Sequence, residues 1–227
     1  YDLAGQDERF RFSPFCWRVK MALAHKKISY ETVPWRFTEK DQLPQPNVGL
    51  VPVLDDGGIV VTDSWKIALY LDEKYPKDPL FEGEQAKSQT LLVKLWFEST
   101  IHPLLGALLI PEIVSLLTEE DRKYFKESRE KRFGKPLETL SDPEKQEGFF
   151  ARLKQGLDPL RSVLSEQSFI CGSTAGFSDY IVFGNLQWAR VSSKLKFFEN
   201  DDPIKIYQNR MLDLHDGFAR SARLFDD

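Results

Sequence analysis

Near its amino terminus the chain reads Phe12-Ser13-Pro14-Phe15-Cys16-Trp17-Arg18. Serine is a preferred N-cap residue and proline is favoured at the first helical position, so Ser13-Pro14 predicts the start of a helix. Apolar residues at helical spacing continue to Ala24, and His25-Lys26-Lys27 supplies the positive charge that suits a helix C-terminus. A polar loop over 5–11 separates this helix from a short strand predicted at 1–4.

Residues 28–80 continue the pattern of a small α/β domain. Residues 28–33 read as a second strand, and the apolar runs 51–54 and 59–61 read as a hairpin around Asp55-Asp56-Gly57-Gly58. Asp63-Ser64 then opens a second helix, which Pro76 ends. The predicted order is strand, helix, strand, short helix, two strands and a final helix.

A linker bearing Pro, Asp and Gly at 75–83 precedes a region in which almost every segment has the 3.6-residue period of helices. We predict helices at 86–117 (bent at Pro103 and Pro111), 119–132, 142–165, 178–191 and 203–219. The fold class is therefore α/β plus all-α, with one domain over 1–80 and a helical domain over 85–227.

Composition narrows the classes of function. The 227 residues are 41% hydrophobic and 29% charged, as in an ordinary globular protein, and the net charge of -4 gives no basic field for nucleic acid. The apolar stretch 101–117 is short and carries two prolines, so we expect no membrane span. The two cysteines and the lack of a signal pattern predict a cytoplasmic location. His25, His102 and His215 are too scattered to predict a metal site.

The start of the first helix has features that suit thiol chemistry. Ser13 and Cys16 have the spacing of a Cys-x-x-Cys redox motif whose first cysteine is replaced by serine. A helix N-terminus stabilises an anion such as a thiolate, and an O–H donated by Ser13 would lower a thiol pKa by about one to two units. A bound thiol would then supply the nucleophile. Two alternatives stay open, in which Ser13 only caps the helix and Cys16 only packs in the core.

Three short motifs, Ser13, Val51-Pro52 and Asp63-Ser64, resemble in order and spacing the glutathione-binding half of cytosolic glutathione transferases. The resemblance covers essentially the whole chain, strongly over 9–83. It implies a thioredoxin-like N-terminal domain followed by an all-helical C-terminal domain. A wider set of segments is similar to the bacterial β-etherase branch and the related fungal FuA class: 12–18, 51–57, 63–65 and 70–76.

The resemblance implies glutathione as co-substrate and a role for each motif. A cis bond before Pro52 would turn the backbone of Val51 toward the cysteinyl part of the tripeptide. Asp63 would hold the γ-glutamyl ammonium, and Ser64 would bind the neighbouring carboxylate at the helix start. Without the resemblance, the same residues would be a helix cap and a strand-entry proline.

The glycyl carboxylate of the peptide needs a positive charge, for which Lys40 is the first candidate and Arg36 the second. An apolar acceptor would lie between the first helix and the helical domain. The candidate wall residues, each of which has core packing as its alternative, are Phe12, Phe15, Trp17, Trp96 and Thr100.

The family implies an enzyme in which Ser13 stabilises the glutathione thiolate for attack on an aromatic electrophile or a lignin-like aryl ether, in a detoxification role. A non-catalytic carrier of phenolic or other aromatic compounds and a thiol reductase that uses Cys16 remain alternatives. We also expect a homodimer, formed through the second helix and the 86–117 helix.

Overall fold

The computed structural model describes residues 1–225, so the predicted helical domain ends two residues beyond them. The N-terminal part contains two pairs of short strands and two helices: β1 (Asp2–Leu3), α1 (Pro14–His25), β2 (Pro34–Trp35), β3 (Val53–Asp56), β4 (Ile59–Thr62) and α2 (Ser64–Lys74). A short 3-10 turn, Lys40–Gln42, lies between β2 and β3. This order agrees with the predicted one.

The strands form two pairs that meet at the amino terminus. β1 is parallel to β2, and β3 is antiparallel to β4 across the predicted turn. The ammonium of Tyr1 donates to the carbonyl of Val53 at 2.8 Å, which links the pairs. The predicted strand at 28–33 is wrong. Residues 29–33 are exposed, and the paired positions are Asp2 with Pro34 and Leu3 with Trp35, preceded by a hydrogen bond from the N–H of Asp2 to the carbonyl of Val33 at 2.9 Å.

The rest of the described chain is helical, as predicted. Its helices are α3 (Gly83–Trp96), α4 (His102–Ile113), α5 (Glu119–Phe133), α6 (Pro143–Gly156), α7 (Asp158–Glu166), α8 (Phe177–Ser192) and α9 (Pro203–Asp213). A π-helical segment, Phe97–Ile101, joins α3 to α4. The division of the chain into units over 1–80 and 85–227 remains a proposal.

Two predicted helices differ in extent from the observed ones, in each case because of the local backbone. The segment 142–165 is two helices, because the chain turns at Leu157 and Pro159 starts α7 in its first turn. The segment 203–219 ends at Asp213, since His215, Asp216 and Gly217 all have positive φ.

The predicted bends at Pro103 and Pro111 do not interrupt the helix. The run Gly83–Leu116 is continuous, and by length and composition it could span a membrane, contrary to the expectation from sequence. Pro103 lies two residues after the end of the π-helical segment, and Pro111 lies inside α4. In the structure α4 is largely buried and packs against α6 and α8, so its apolar residues form part of the core.

The contact between α1 and α8 holds the two parts of the chain together. It is close because of Gly184, where a Cβ would lie 2.4 Å from the carbonyl oxygen of Pro14. The buried carboxylate of Asp179 fixes the start of α8, accepting hydrogen bonds from the N–H groups of Gly176 and Ile170 and from the hydroxyl of Tyr207. The contact with α8 therefore holds the N-terminus of α1 in place.

Candidate functional site

Ser13 caps α1 and is buried. Its Oγ accepts a hydrogen bond from the N–H of Cys16 at 3.2 Å, as an N-cap does. A hydroxyl carries one hydrogen and two lone pairs, so a side chain that accepts this bond can still donate its O–H. Capping and donation to a thiolate are thus compatible at Ser13.

The loop before β3 has the predicted cis peptide bond between Val51 and Pro52. A second cis bond, between Gln45 and Pro46, has no counterpart in the sequence predictions. Within residues 1–225, neither the N–H nor the C=O of Val51 has a hydrogen-bond partner. Val51 therefore presents a free donor and a free acceptor, the pair that an extended peptide backbone can bind.

Asp63 combines a cap with an unusual backbone. Its φ of 75° is rare for a residue with a side chain, and such outliers cluster at functional sites. Its Oδ1 accepts hydrogen bonds from the N–H groups of Trp65 at 3.0 Å and Lys66 at 3.1 Å. Oδ2 accepts none from the described residues, so one oxygen of this exposed carboxylate remains available to a cation.

Ser64 follows as the first residue of α2. It is 2% exposed, and its hydroxyl has no hydrogen-bond partner among residues 1–225. A buried hydroxyl without a partner is costly and calls for an explanation. A carboxylate bound at the start of α2 would supply the missing partner and would also be favoured by the positive end of the helix.

A fully buried cation, Arg18, interacts electrostatically with Asp63. Arg18 donates through Nη1 to Glu98 at 2.6 Å, whereas its Nε and Nη2 have no hydrogen-bond partner in the described chain. Burial lowers the pKa of Arg18, against the opposing effects of Glu98 and Asp63. The sequence predictions missed Arg18. The signal was present as a cation within the apolar run of α1, four residues after Pro14.

Lys40 and Arg36 have different surroundings. The guanidinium of Arg36 is paired with Glu8 at 3.2 Å and with Glu39 at 3.3 Å. Lys40 is exposed, with its Nζ 4.6 Å from the centroid of the Tyr124 ring. Its Cδ lies 3.3 Å from the position that a Cβ would take at Gly49, two residues before Val51. Of the two cations, Lys40 is the one beside the cis-proline loop.

Cys16 is buried, and burial raises the pKa of its thiol to about 12, with the carboxylate of Asp2 as a further contribution. Such a thiol is protonated at neutral pH and is a poor nucleophile. The core-packing alternative for Cys16 therefore fits its surroundings.

The predicted acceptor residues lie in different places. Phe15 is half-buried and contacts His102 of α4, with ring centroids 5.3 Å apart. Trp17, two positions later on α1, faces another side of the helix and packs on Phe218. Phe12 is a core residue stacked on Phe10 at 5.2 Å. The structure thus does not bring Phe12 and Trp17 together with Phe15.

The remaining two candidates lie where α3 meets the π-helical segment. Trp96 is half-buried, with its ring 4.9 Å from that of Phe97, and Thr100 is exposed. The hydroxyl of Thr100 donates to the carbonyl of Trp96.

His102 is a second residue that the predictions left without a role. Its ring stacks on Trp188 at 5.0 Å, and its Nδ1 lies 2.9 Å from Oδ1 of Asn185. Because Asn185 donates its amide to the carbonyl of Ile181, Oδ1 accepts from Nδ1–H of His102, so in the neutral ring Nε2 carries no proton. Burial lowers the pKa of His102, opposed by the bond to Asn185. A neutral imidazole thus lies next to Phe15.

Among residues 1–225, no three His, Cys, Asp or Glu side chains lie together in a group that could hold a metal ion.

Comparison with known families gives matches along most of the chain. The model described as "Glutathione S-transferase, N-terminal domain" matches residues 9–79, and the model described as "Glutathione S-transferase, C-terminal domain" matches residues 89–206. Over 181 residues the chain is 29% identical to glutathione S-transferase omega-1 of Mus musculus, covering 76% of this chain and 62% of the mouse protein. Over 75 residues it is 44% identical to glutathione S-transferase Z1 of Arabidopsis thaliana, which is 31% of this chain and 34% of that protein. The chain thus spans about a third of the length of this plant relative.

Solved structures have the same fold. The glutathione S-transferase CsGST83044 of Ceriporiopsis subvermispora, in complex with glutathione, superposes with a TM-score of 0.82 at 21% identity, covering 96% of this chain and 97% of that one. The glutathione transferase GSTFuA3 from Phanerochaete chrysosporium superposes with a TM-score of 0.75 at 22% identity, covering 96% and 90%. The fold is that of a thioredoxin-like domain followed by a helical domain, and the chain belongs to the glutathione S-transferase family.

Proposed function

We propose that this protein binds glutathione, ionises its thiol beside Ser13 and directs the thiolate to an aromatic electrophile. The observation that carries the proposal is the buried hydroxyl of Ser64, which has no hydrogen-bond partner in the described chain. The preceding residue, Asp63, uses only Oδ1 of its carboxylate to accept hydrogen bonds from the described residues. The γ-glutamyl group has a carboxylate and an ammonium on one carbon. Ser64 and Asp63 offer these two charges complementary partners in adjacent positions.

The rest of the tripeptide would follow the cis-proline loop. The free N–H and C=O of Val51 would pair with the cysteinyl backbone, next to Pro52, and Lys40 would reach the glycyl carboxylate. The thiol would then lie at the N-terminus of α1, where Ser13 can donate its O–H to the sulfur. The half-buried rings of Phe15 and Trp96 and the hydroxyl of Thr100 are proposed for the acceptor side.

In the reaction, the thiolate attacks an electrophilic carbon and forms a carbon–sulfur bond. With an aryl ether as substrate, the carbon–oxygen bond breaks, and a phenolate leaves with the electron pair and takes up a proton from water. The aromatic acceptor and the detoxification role are proposed from the resemblance of the segments 12–18, 51–57, 63–65 and 70–76 to the FuA class. Cleavage of lignin-like ethers is the narrower proposal.

The two alternatives differ in their support. A carrier of phenolic or other aromatic compounds would bind its ligand at the same acceptor residues without forming a covalent bond to it. A thiol reductase based on Cys16 has little support, because that thiol is buried and its pKa is about 12.

A homodimer is also proposed. Three leucines on one side of α3 are exposed although they are apolar: Leu91, Leu92 and Leu95 are 40%, 70% and 54% exposed. An exposed apolar patch of this kind suits an interface between two copies. A cytoplasmic location fits the free thiols of Cys16 and Cys171.

Calorimetric titration with glutathione tests binding. We expect Ser64→Ala and Asp63→Asn each to weaken binding by about tenfold or more, since each removes a hydrogen bond to a charged group. The control is Ser128→Ala on α5, whose hydroxyl bonds only to main chain and a neighbouring arginine. No uptake of glutathione by the folded wild type would refute the proposal.

Turnover with 1-chloro-2,4-dinitrobenzene tests the role of Ser13. We expect Ser13→Ala to lower kcat by about 10- to 100-fold, with a much smaller change in glutathione affinity. The variant also loses a helix cap, so Asp142→Ala, which removes the cap of α6, is the matched control. Equal losses of kcat in Ser13→Ala and Asp142→Ala would show that Ser13 has no role in the mechanism. A kcat of Ser13→Ala equal to that of the wild type across pH 6–8 would show the same.

A further inference from the structure

The segment that carries Lys40, residues 36–42, packs on helix α5 of the helical part of the chain. The half-buried ring of Phe37 contacts the rings of Phe125 and Tyr124 on α5, with centroids 5.4 Å and 6.3 Å away. Aromatic contacts of this kind stabilise a fixed arrangement of the two elements. The Lys40 segment therefore depends for its position on a helix that lies about 80 residues later in the sequence.

A buried carboxylate of the same helix holds the backbone of this segment. Oδ1 of Asp121 accepts hydrogen bonds from the N–H and from the hydroxyl of Thr38, each at 2.9 Å. Asp121 is fully buried, and its Oδ2 has no hydrogen-bond partner among residues 1–225. The cap of α5 is formed by the hydroxyl of Thr118 and the N–H of Asp121, so it does not use this carboxylate.

Burying a carboxylate is costly, and here its hydrogen bonds go to one exposed residue of a distant segment. The helix start is already satisfied without these bonds. Asp121 thus fixes the main chain of Thr38, two positions before Lys40, and we look to Lys40 for the reason.

Tyr124, three positions after Asp121 and so on the same face of α5, contacts the side chain of Lys40. Nζ of Lys40 lies 4.6 Å from the centroid of the Tyr124 ring, within the range of a cation–π contact. Cδ of the same lysine lies 3.3 Å from the position that a Cβ would take at Gly49. The ring and the glycine both limit the positions open to Lys40, beside the loop that contains Val51.

The ammonium of Lys40 is held in this way without being neutralised. Among residues 1–225 no carboxylate pairs with its Nζ, whereas Arg36, at the start of the same segment, is paired with Glu8 and Glu39. Lys40 therefore offers an unpaired positive charge at a position set by α5.

We propose that Asp121 and Tyr124 are positioning residues that make the glutathione site selective for a ligand with a free glycyl carboxylate. The inference rests on the proposed function, in which Lys40 binds that carboxylate. Ordering a long, flexible side chain on binding opposes binding, and contacts that hold the side chain beforehand reduce this cost. Asp121 supplies such a contact at the backbone and Tyr124 supplies one at the ammonium.

Calorimetric titration with glutathione and with glutathione amide, in which a carboxamide replaces the glycyl carboxylate, tests the selectivity. The measured quantity is the Kd of the amide divided by the Kd of glutathione. For the wild type we expect a ratio of about five to ten, because only glutathione offers Lys40 a negative charge. A merely structural role of α5 would weaken both ligands alike and leave the ratio unchanged.

Three variants test the contact at Thr38. Asp121→Ala removes both hydrogen bonds and should lower the ratio to about two or less. Asp121→Asn keeps an oxygen that can accept both bonds, so it should restore most of the wild-type ratio. Thr38→Val removes only the hydroxyl bond, at an exposed position where the fold is not at risk, and should lower the ratio by about twofold.

Tyr124→Leu and Tyr124→Phe form a matched pair at the other contact. Leucine removes the ring beside Lys40 and should lower the ratio by about twofold. Phenylalanine keeps the ring and should keep the ratio.

A wild-type ratio in Asp121→Ala, or in Thr38→Val if Asp121→Ala does not fold, would overturn the proposal. A wild-type ratio in Tyr124→Leu would do the same. Equal affinity of the wild type for glutathione and its amide would also overturn it, while leaving glutathione binding intact. The proposed function fails on a different result, in which the folded wild type takes up neither ligand.

Discussion

Arg18 and Glu98 lie 80 positions apart in the sequence, and in the fold Nη1 of Arg18 donates to Oε1 of Glu98 at 2.6 Å. The arginine side chain is 1% exposed and comes from α1, while Glu98 is 25% exposed and belongs to the π-helical segment. Lys94 also donates to Glu98, at 2.7 Å. This ion pair joins the helix that Ser13 caps to the helical part of the chain.

Replacing Glu98 with glutamine should lower the free energy of unfolding by about 3 kcal/mol, because the buried charge of Arg18 would lose its partner. Urea denaturation at pH 7 measures the change. Glu84→Gln, at a 90% exposed glutamate whose pairing lysine lies 3.6 Å away, is the matched control and should change stability by less than about 0.5 kcal/mol. Similar losses in both variants would contradict the account of the ion pair.

The same pair has a consequence at low pH. Burial raises the pKa of Glu98, but the hydrogen bonds from Arg18 and Lys94 outweigh it and hold the pKa below the usual 4.5. The stabilisation is therefore present above about pH 4.5 and is lost as pH falls through the lowered pKa. The stability of Glu98→Gln should consequently fall less than that of the wild type in this range.

Gly184→Ala should destabilise the protein by about 1–3 kcal/mol and also lower activity. The new Cβ would lie 2.4 Å from the carbonyl oxygen of Pro14 and 3.2 Å from Cγ of Arg18, so α1 must move away from α8 and carry Ser13 with it. Gly148→Ala in α6 is the control, since nothing lies within 4 Å of that Cβ, and it should stabilise by up to about 1 kcal/mol. Equal behaviour of the two variants in thermal melts would contradict the prediction.

A thiol titration with 5,5′-dithiobis(2-nitrobenzoate) should detect one reactive cysteine in the native protein and two after denaturation. Cys171 is exposed, but burial of its thiol and the carboxylate of Asp179 raise its pKa to about 11, so we expect it to react slowly. Cys16 is buried, with a pKa raised to about 12. In Cys171→Ser the native protein should therefore give no reaction on the time scale of Cys171 in the wild type. Rapid modification of Cys16 in that variant would contradict its burial and would revive the thiol-reductase alternative.

His215 should make the protein less stable below pH 6.5. Burial and the neighbouring His25 lower the pKa of His215 from 6.5 to about 4, while its Nε2 lies 3.2 Å from the hydroxyl of Tyr180. The unfolded chain then binds more protons than the folded one between pH 6.5 and 4, so the free energy of unfolding falls as pH falls through that window.

The variant His215→Asn should have a weaker pH dependence over that range. Asparagine tolerates the positive φ of 52° at this position, so the change removes the imidazole without adding backbone strain. Denaturation curves at pH 4.5 and 7.5 measure the difference. An equal fall in stability for the variant and the wild type would show that another group is responsible.

The sequence by itself determined the order of elements and the local motifs. Ser13, Asp63, Asp142 and Asp202 each cap a helix through contacts with residues two or three positions ahead, so their types are sufficient to predict them. The Asp-Gly turn between β3 and β4 is local in the same way. The cis bond before Pro52, which the family resemblance implies, is present as well.

Only the tertiary structure decided which residues meet. The pairing of Arg18 with Glu98, the contact of Phe15 with His102 and the close approach at Gly184 each join distant segments, and hydrophobic periodicity carries no information about such partners. For the same reason it could not place Trp17 against Phe218 rather than beside Phe15. Local hydrogen bonds follow from neighbouring residue types, whereas burial and long-range pairing depend on how the whole chain packs.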